Sequence, residues 1–466
     1  MKIALVYPYK KEGFQGCNPP VSLLYLAAAL RKAGQEVAVF DIDEDNRSEA
    51  DLIDILCEHS PDVVGIPLFT AYLKNAYNFE RLLAKTNHHW KLLIGGPHAT
   101  VKPIDTLKDF ESCDFVIRGE ADNSIVELAE SLEQRKPLED VNGLTFRTNG
   151  NIVHNADIDV LPDLDTLEFP ARDLLASAYK NGTYWRVGNH GVTDIVITSR
   201  GCPFSCNFCF KVSNKFRTRS PENIVAELKE LKGRGIKNVH IMDDLFVFNK
   251  PHLYRVIDLI KKDKLKMKLK VRARTNFIDE EILQKLKEIG VNNIVFGIES
   301  GSQKILDQMN KKTTVEMNEN AIRMAKKAGM DCYADIFIGY PGETPETIKE
   351  TENLIIKTKP SAIQVGILYP LPGTKVYNDA IEQGVLQGDW DIRGTHPWVK
   401  LPWTESRKDL QILLKRLMSR YVTNPVVIFK MLSTVITSFD IRQYGKMRKK
   451  AFRVLMHIVN RRSVHM

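Results

Sequence analysis

The chain has 466 residues, 43% of them hydrophobic and 27% charged, with a net charge of +8 and seven cysteines. That length predicts two to four domains and a core that holds without disulfides. The odd cysteine count, in a chain opening MKIALVYPYKK with no apolar leader, excludes a secreted disulfide scaffold. No run reaches the ~18 apolar residues of a membrane-spanning helix, so the expected location is the cytoplasm.

In chain order, strand signals at 2–7, 36–40, 63–67, 91–94 and 114–117 alternate with helix signals at 21–33, 51–57, 72–85 and 122–134. Such alternation predicts βαβ units and a doubly wound parallel sheet, whose ligands bind beyond the strand C-termini. The loops there carry Pro20, Phe69-Thr70, Gly95-Gly96-Pro97-His98 and Gly119-Glu120. The paired glycines either let backbone approach a large ligand or make a tight turn, and the residues alone weigh the two equally. Asn149-Gly150 between two short apolar runs predicts a hairpin. Pro162 and Pro170 mark a linker.

A strand at 193–199 then runs into Arg200-Gly201 and Cys202-Pro203-Phe204-Ser205-Cys206-Asn207-Phe208-Cys209. Thiolates suit zinc or iron–sulfur clusters. Zinc usually takes four protein ligands, and Cys332, the other nearby cysteine, sits in an apolar strand. Three thiolates on a cuboidal cluster leave one iron open. A structural zinc loop and an electron-transfer cluster are the competing readings of the same residues.

Strands at 238–242, 268–271, 293–296, 331–338 and 362–366, with helices at 221–234, 279–289 and 315–328, complete six repeats with 195–198. The expectation is an open partial barrel with its site at the strand C-termini. Asp243, Asp244, Glu299, Gly339, Pro341 and Gly342 lie there. Helix capping is the bland alternative for the aspartates, and a surface ion pair for Glu299. Arg272 and Arg274 point into the barrel and want a carboxylate, from a ligand or from Asp243. Tyr333, Asp335, Gln364 and Tyr369 are further pocket candidates.

From Leu401 onward there are 14 Lys/Arg against 3 Asp/Glu. Helices are expected at 405–421, 425–437 and 442–460. Leu410, Leu413, Leu414 and Leu417 form one apolar stripe, and Phe452, Leu455, Met456 and Val459 another. Such stripes are more often a lid or core-packing face, yet beside Lys446, Arg448, Lys449, Lys450 and Arg453 they also fit an interfacial helix and a lipid substrate. There is no RNA-binding signature, so no nucleic-acid partner is expected.

The C-x3-C-x2-C spacing resembles the radical S-adenosylmethionine (SAM) signature. The early PP, YLAAAL, GGPHAT and RGEAD resemble the cobalamin-binding domain that precedes many radical SAM barrels. The resemblance implies a [4Fe–4S] cluster on Cys202, Cys206 and Cys209, with SAM on its open iron. It places Phe208 and the segment Gly339, Pro341, Gly342 against adenine, Asp243-Asp244 at the SAM amino group and Glu299 at the ribose hydroxyls. It puts cobalamin at Pro20, Phe69, Thr70, Gly95, Gly96, Pro97, His98, Gly119 and Glu120, although the cobalt-ligating Asp-x-His-x-x-Gly motif is missing.

It further implies a small-molecule or lipid substrate and an electron donor such as flavodoxin or ferredoxin. The expected organisation is a cobalamin-binding-like domain at 1–138, hairpin and linker at 139–190, barrel at 191–385 and a basic helical region at 386–466. The expected reaction is methylation of an unactivated carbon. The alternatives are a radical SAM oxidoreductase or cyclase, and a non-catalytic cobalamin- or metal-binding module.

Overall fold

The computed structural model describes residues 1–10, 16–86, 88–186, 191–425 and 427. The helices expected at 425–437 and 442–460, with the second apolar stripe and its basic neighbours, fall essentially outside them. Among the described residues no helix is long and apolar enough to cross a membrane.

The first sheet is built from β1 (Lys2–Tyr7), β2 (Glu36–Asp41), β3 (Val63–Pro67), β4 (Lys91–Gly95) and β5 (Cys113–Ile117). Helices α1 (Val21–Lys32), α2 (Glu49–His59), α3 (Leu73–Leu83) and α6 (Ser124–Gln134) alternate with them. The strand cores read IALV, VVGI and LLI, the near-continuous apolar runs of strands covered on both faces. The parallel order β2-β1-β3-β4-β5 puts the topological switch between β1 and β3.

The stretch after Gly96, expected as a loop, folds into two short helices, α4 (Pro97–Val101) and α5 (Pro103–Asp109), each with proline in its first turn. The hairpin expected in the connector, β6 (Leu144–Thr148) and β7 (Asn151–His154), instead extends this sheet antiparallel from β5. Arg118, just after β5 and 4% exposed, pins it through Leu144 O, Thr145 Oγ1 and Asn155 O. Covering an open strand edge is what that hairpin does.

The second sheet has the parallel order β8 (Thr193–Val196), β9 (Asn238–Ile241), β10 (Lys268–Ala273), β11 (Val291–Glu299), β12 (Asp331–Ile338) and β13 (Ala362–Ile367), with its end strands unjoined. Helices α7 (Pro221–Gly233), α8 (Lys250–Lys262), α9 (Glu280–Glu288), α10 (Val315–Lys327) and α11 (Pro345–Thr358) cover its outer face. Along β12 Cys332, Ala334, Ile336 and Ile338 are buried, while Asp331, Tyr333, Asp335 and Phe337 take the alternate face. Cys332 therefore belongs to the barrel's outer core, away from the cysteine loop.

The region from 386, expected as helical, begins with a two-residue ladder, Leu386–Gln387 on Trp398–Val399. Helix α12 (Arg407–Val422) follows and buries Leu410 and Leu417, with Leu413 and Leu414 packed beside Leu410 on one core cluster.

Linker and barrel meet at a buried ion network. Arg172 donates to Asp194 of β8 (2.7 Å) and Glu227 of α7 (2.6 Å), and Arg219 also reaches Glu227. Arg172, Asp194 and Glu227 are at most 1% exposed.

Candidate active site

The cysteine loop leaves the barrel after β8. Its two ends are stapled by an antiparallel pair, Ser199 on Thr218 and Arg200 on Arg217. Gly201 sits at φ +79°, and a Cβ there would overlap the Lys215 carbonyl. Inside the loop, Asn207 N donates to Met309 O (2.9 Å), Asn310 Nδ2 to Ser205 O (2.7 Å) and Val376 N to Asn207 O (2.9 Å). Lys211 folds back onto Cys202 O and Phe204 O. These bonds fix the three thiols from both sides of the barrel mouth.

Arg274 lies over the Phe204 ring at 4.0 Å and points Nη1 at Cys206 Sγ, 3.5 Å away. Its expected carboxylate is not there, and its Nη2 donates to Lys311 O. A guanidinium on a sulfur stabilises thiolate charge. The enclosing protein and then Asp244 push the Cys209 thiol up to about 12, and burial raises Cys202 as well. Loading the loop therefore releases protons. Three thiols on one braced loop, a cationic donor on one sulfur and no fourth cysteine beside them among the described residues fit a [4Fe–4S] cluster with one open iron.

Around the mouth, the predicted residues divide. Phe208 packs edge-on to Phe337 at 4.9 Å, with Lys311 Nζ 5.7 Å over its ring. Glu299 closes β11 at φ +59° and pairs with Lys311 at 2.7 Å, both nearly buried. It is thus no surface ion pair. Asp243 is spent: its carboxylate takes Thr198 N (2.7 Å) and Thr198 Oγ1. Burial pushes its pKa up to about 6 against those bonds. It caps no helix, because Asn249 caps α8. Asp244 stays accessible at the mouth, its carboxyl raised by desolvation and lowered in part by Arg272.

The Gly339–Gly342 turn is held by Glu343, whose Oε2 accepts from Gly339 N (2.5 Å) and Tyr340 N (3.2 Å). Its Oε1 is buried without a partner among the described residues. Burial raises Glu343 to about 7. The folded state therefore holds this proton between the ordinary carboxylate range and pH 7, and stability falls as pH rises through that window. Glu343→Gln is expected to remove up to ~3 kcal/mol of that fall, making the variant the more heat-stable chain at pH 8. Melting curves at pH 5.5 and 8 that shift equally in both proteins would refute this.

Arg272 finds its carboxylate in Asp335 at 2.6 Å, not in Asp243. Gln364 lies exposed on β13. Tyr369 is 41% exposed and packs on Trp390, His396 and Arg407, outside the barrel interior.

The strand ends of the first sheet face this mouth. Glu120 pairs with Arg217 (2.5 Å) and Arg200 (3.3 Å), and Asp122 with Arg200 (2.6 Å). Glu120 is therefore a clamp between the domains, not a free cofactor ligand. Val101 touches Gly373, whose position also borders Phe210. At the switch point Tyr7, Tyr9, Phe69 and Tyr72 form one aromatic cluster, with Tyr9 stacked on Tyr72 at 4.9 Å.

Pro20 is buried at the head of α1, while Thr70, Gly95, Gly96, Pro97 and Gly119 are partly accessible. Gly96 sits at φ +99° with the Leu68 backbone 3.0 Å from a would-be Cβ, so its turn demands glycine. His98 is bound to Thr70 Oγ1 (3.1 Å), and burial lowers its pKa to about 4. An aromatic shelf and accessible glycine backbone fit a large flat ligand, with His98 Nδ1 taken up by Thr70.

Residues 196–355 match the Radical SAM superfamily and residues 13–129 the B12 binding domain. An uncharacterised methyltransferase of Pyrococcus horikoshii is 30% identical over 98% of this chain and 98% of its own. The chain belongs to the radical SAM superfamily. This radical SAM enzyme is also 28% identical to the anaerobic magnesium-protoporphyrin IX monomethyl ester cyclase of Cereibacter sphaeroides, over 82% of this chain and 64% of that one. Its fold is that of TsrM from Kitasatospora setae, a radical SAM methyltransferase solved with tryptophan substrate and a SAM analogue. The TM-score is 0.74 at 17% identity, over 98% of this chain and 99% of that one.

Three residues of the radical SAM barrel interior escaped the sequence reading. His240 on β9 stands in register with Lys270 on β10. Arg186, from a two-residue strand paired with Gly16–Cys17, reaches the same space. Period-two alternation along β10 would have found Lys270; nothing local marks Arg186.

Proposed function

We propose that this chain is a cobalamin-dependent radical SAM methyltransferase acting on a carbon of a small molecule. The observation that carries it is the facing of the two strand-end mouths, locked by Glu120 and Asp122 on Arg200 and Arg217. In this reading Cys202, Cys206 and Cys209 hold the cluster, and cobalamin lies at Phe69, Thr70, Gly95 and Gly119. The bound cofactors supply a 5′-deoxyadenosyl radical from SAM and a transferable methyl group.

The chain's own residues then orient and exclude water. Phe208 and the Gly339–Gly342 turn, with Pro341 between, give the adenine an apolar wall. Glu299, fixed by Lys311, accepts from the ribose hydroxyls. Asp244 meets the SAM amino group, while Asp243 holds Thr198 and so the start of the cysteine loop. Arg274 keeps Cys206 aimed.

The test is anaerobic reconstitution with iron, sulfide and hydroxocobalamin, followed by desalting and metal analysis. About one cobalt per chain, with 5′-deoxyadenosine released from SAM under a flavodoxin- or ferredoxin-type reductant, supports the reading. An intact cluster with no cobalt bound would overturn methyl transfer and favour the ring closure that the cyclase relative's name describes. The lipid reading of the basic tail is tested by liposome co-sedimentation: equal pelleting of the full chain and one ending near Leu401 would sink it.

A further inference from the structure

Three cationic side chains gather in the barrel interior. Lys270, Arg272 and Arg186 lie within mutual electrostatic reach, with His240 beside them. Asp335 is engaged by Arg272 at 2.6 Å. Lys270 rests its ammonium 4.5 Å over the Tyr333 ring, and Arg186 donates Nε to Asn18 Oδ1 at 2.8 Å. Neither has a carboxylate partner among the described residues. His240 is 2% exposed, and neither ring nitrogen has a partner among the described residues.

Burial first, then the two arginines, lower Lys270 to about 7, with Asp335 opposing them in part. Unpaired charge held away from water is costly, and proteins keep it where a ligand completes it.

The position is as telling as the charge. Along β10 Arg274 meets Cys206, Arg272 lies one interior step deeper and Lys270 one deeper again. Two residues of strand advance ~6.6 Å. The Lys270 Cα therefore stands ~13 Å along the strand from the Cα of Arg274. That depth lies past the residues assigned to SAM and spans a small molecule.

We propose that Lys270, Arg272 and Arg186 form an oxyanion subsite that takes a carboxylate or phosphoryl group of the substrate and holds its far end toward the cysteine loop. Arg272, anchored by Asp335, offers its second edge to the anion. Lys270 gives a point charge, and Arg186 closes the site from the linker. Its connection through Asn18 ties the subsite to the loop that leads into α1.

The assignment rests on the barrel being a radical SAM site, so the test separates the two. Cluster-reconstituted protein saturated with SAM is titrated calorimetrically with inorganic phosphate and, in parallel, with acetate. Saturable binding of either anion is expected, weakened at least about tenfold in Lys270→Gln and in Arg272→Gln and retained in Lys270→Arg. The arginine variant guards against a misfolded glutamine variant, and iron content reports loading of each. Binding of neither anion, or equal binding by wild type and Lys270→Gln, would overturn the subsite. Failure of the wild-type chain to load iron or cleave SAM would instead count against the radical reading, whatever the anion does.

Discussion

A chain carrying Cys206→Ala is expected to purify without the brown iron–sulfur chromophore and to release 5′-deoxyadenosine from SAM only at background. Cys206 is the thiol that Arg274 addresses at 3.5 Å, on a loop braced from Asn207, Ser205 and Lys211. With three protein thiolates and no fourth cysteine beside them among the described residues, nothing there replaces one. Cys332→Ala serves as the contrast: that thiol is 0% exposed in the barrel's outer core, so the variant should keep full iron content. Arg274→Met acts one step removed, through Cys206. It should assemble the cluster yet lose ~10–100-fold in SAM cleavage, as removal of a partner behind a metal ligand does. Its reduction potential should shift too, which a purely structural role would not produce. Retained iron and cleavage in Cys206→Ala would remove the cluster assignment.

The largest stability loss is expected from Glu227→Ala. Glu227 answers two guanidinium groups, Arg172 and Arg219, and is 0% exposed. Truncation leaves both facing protein with only Asp194 near Arg172. Removing one partner of a buried pair costs about 3–5 kcal/mol. Arg172 comes from the linker and Asp194 from β8, so the loss should fall on the seam between the two sheets. Denaturant titration should show a lower midpoint. An unfolding free energy within about 0.5 kcal/mol of wild type would show that the network contributes nothing net.

Local patterns made the fold readable. The β1, β3 and β12 boundaries follow directly from β-branched runs, and Ser220 caps α7 as expected. The cysteine motif was readable because its three thiols lie within eight residues. What failed was pairing over long sequence distance. The partner of Arg272, open between a ligand carboxylate and Asp243, is Asp335, two strands away on the inner face. Arg274 was given a carboxylate when sulfur and a carbonyl take it. Glu120, expected as a cofactor contact, also pairs with arginines about 80 and 97 residues on, which no local pattern announces. Side-chain periodicity says which face a residue occupies, and it is silent on what stands opposite.

The clamp of Glu120 and Asp122 on Arg200 and Arg217 has a consequence of its own. Arg200 and Arg217 are the paired residues at the two ends of the cysteine loop. The same four side chains therefore define both where the front domain sits and how tightly that loop is closed. Reciprocity follows from thermodynamics: whatever ligand steadies one side steadies the other by an equal free energy. Occupancy of the first sheet's crevice should slow loss of iron, and an assembled cluster should tighten binding in the crevice, with no direct contact between the two.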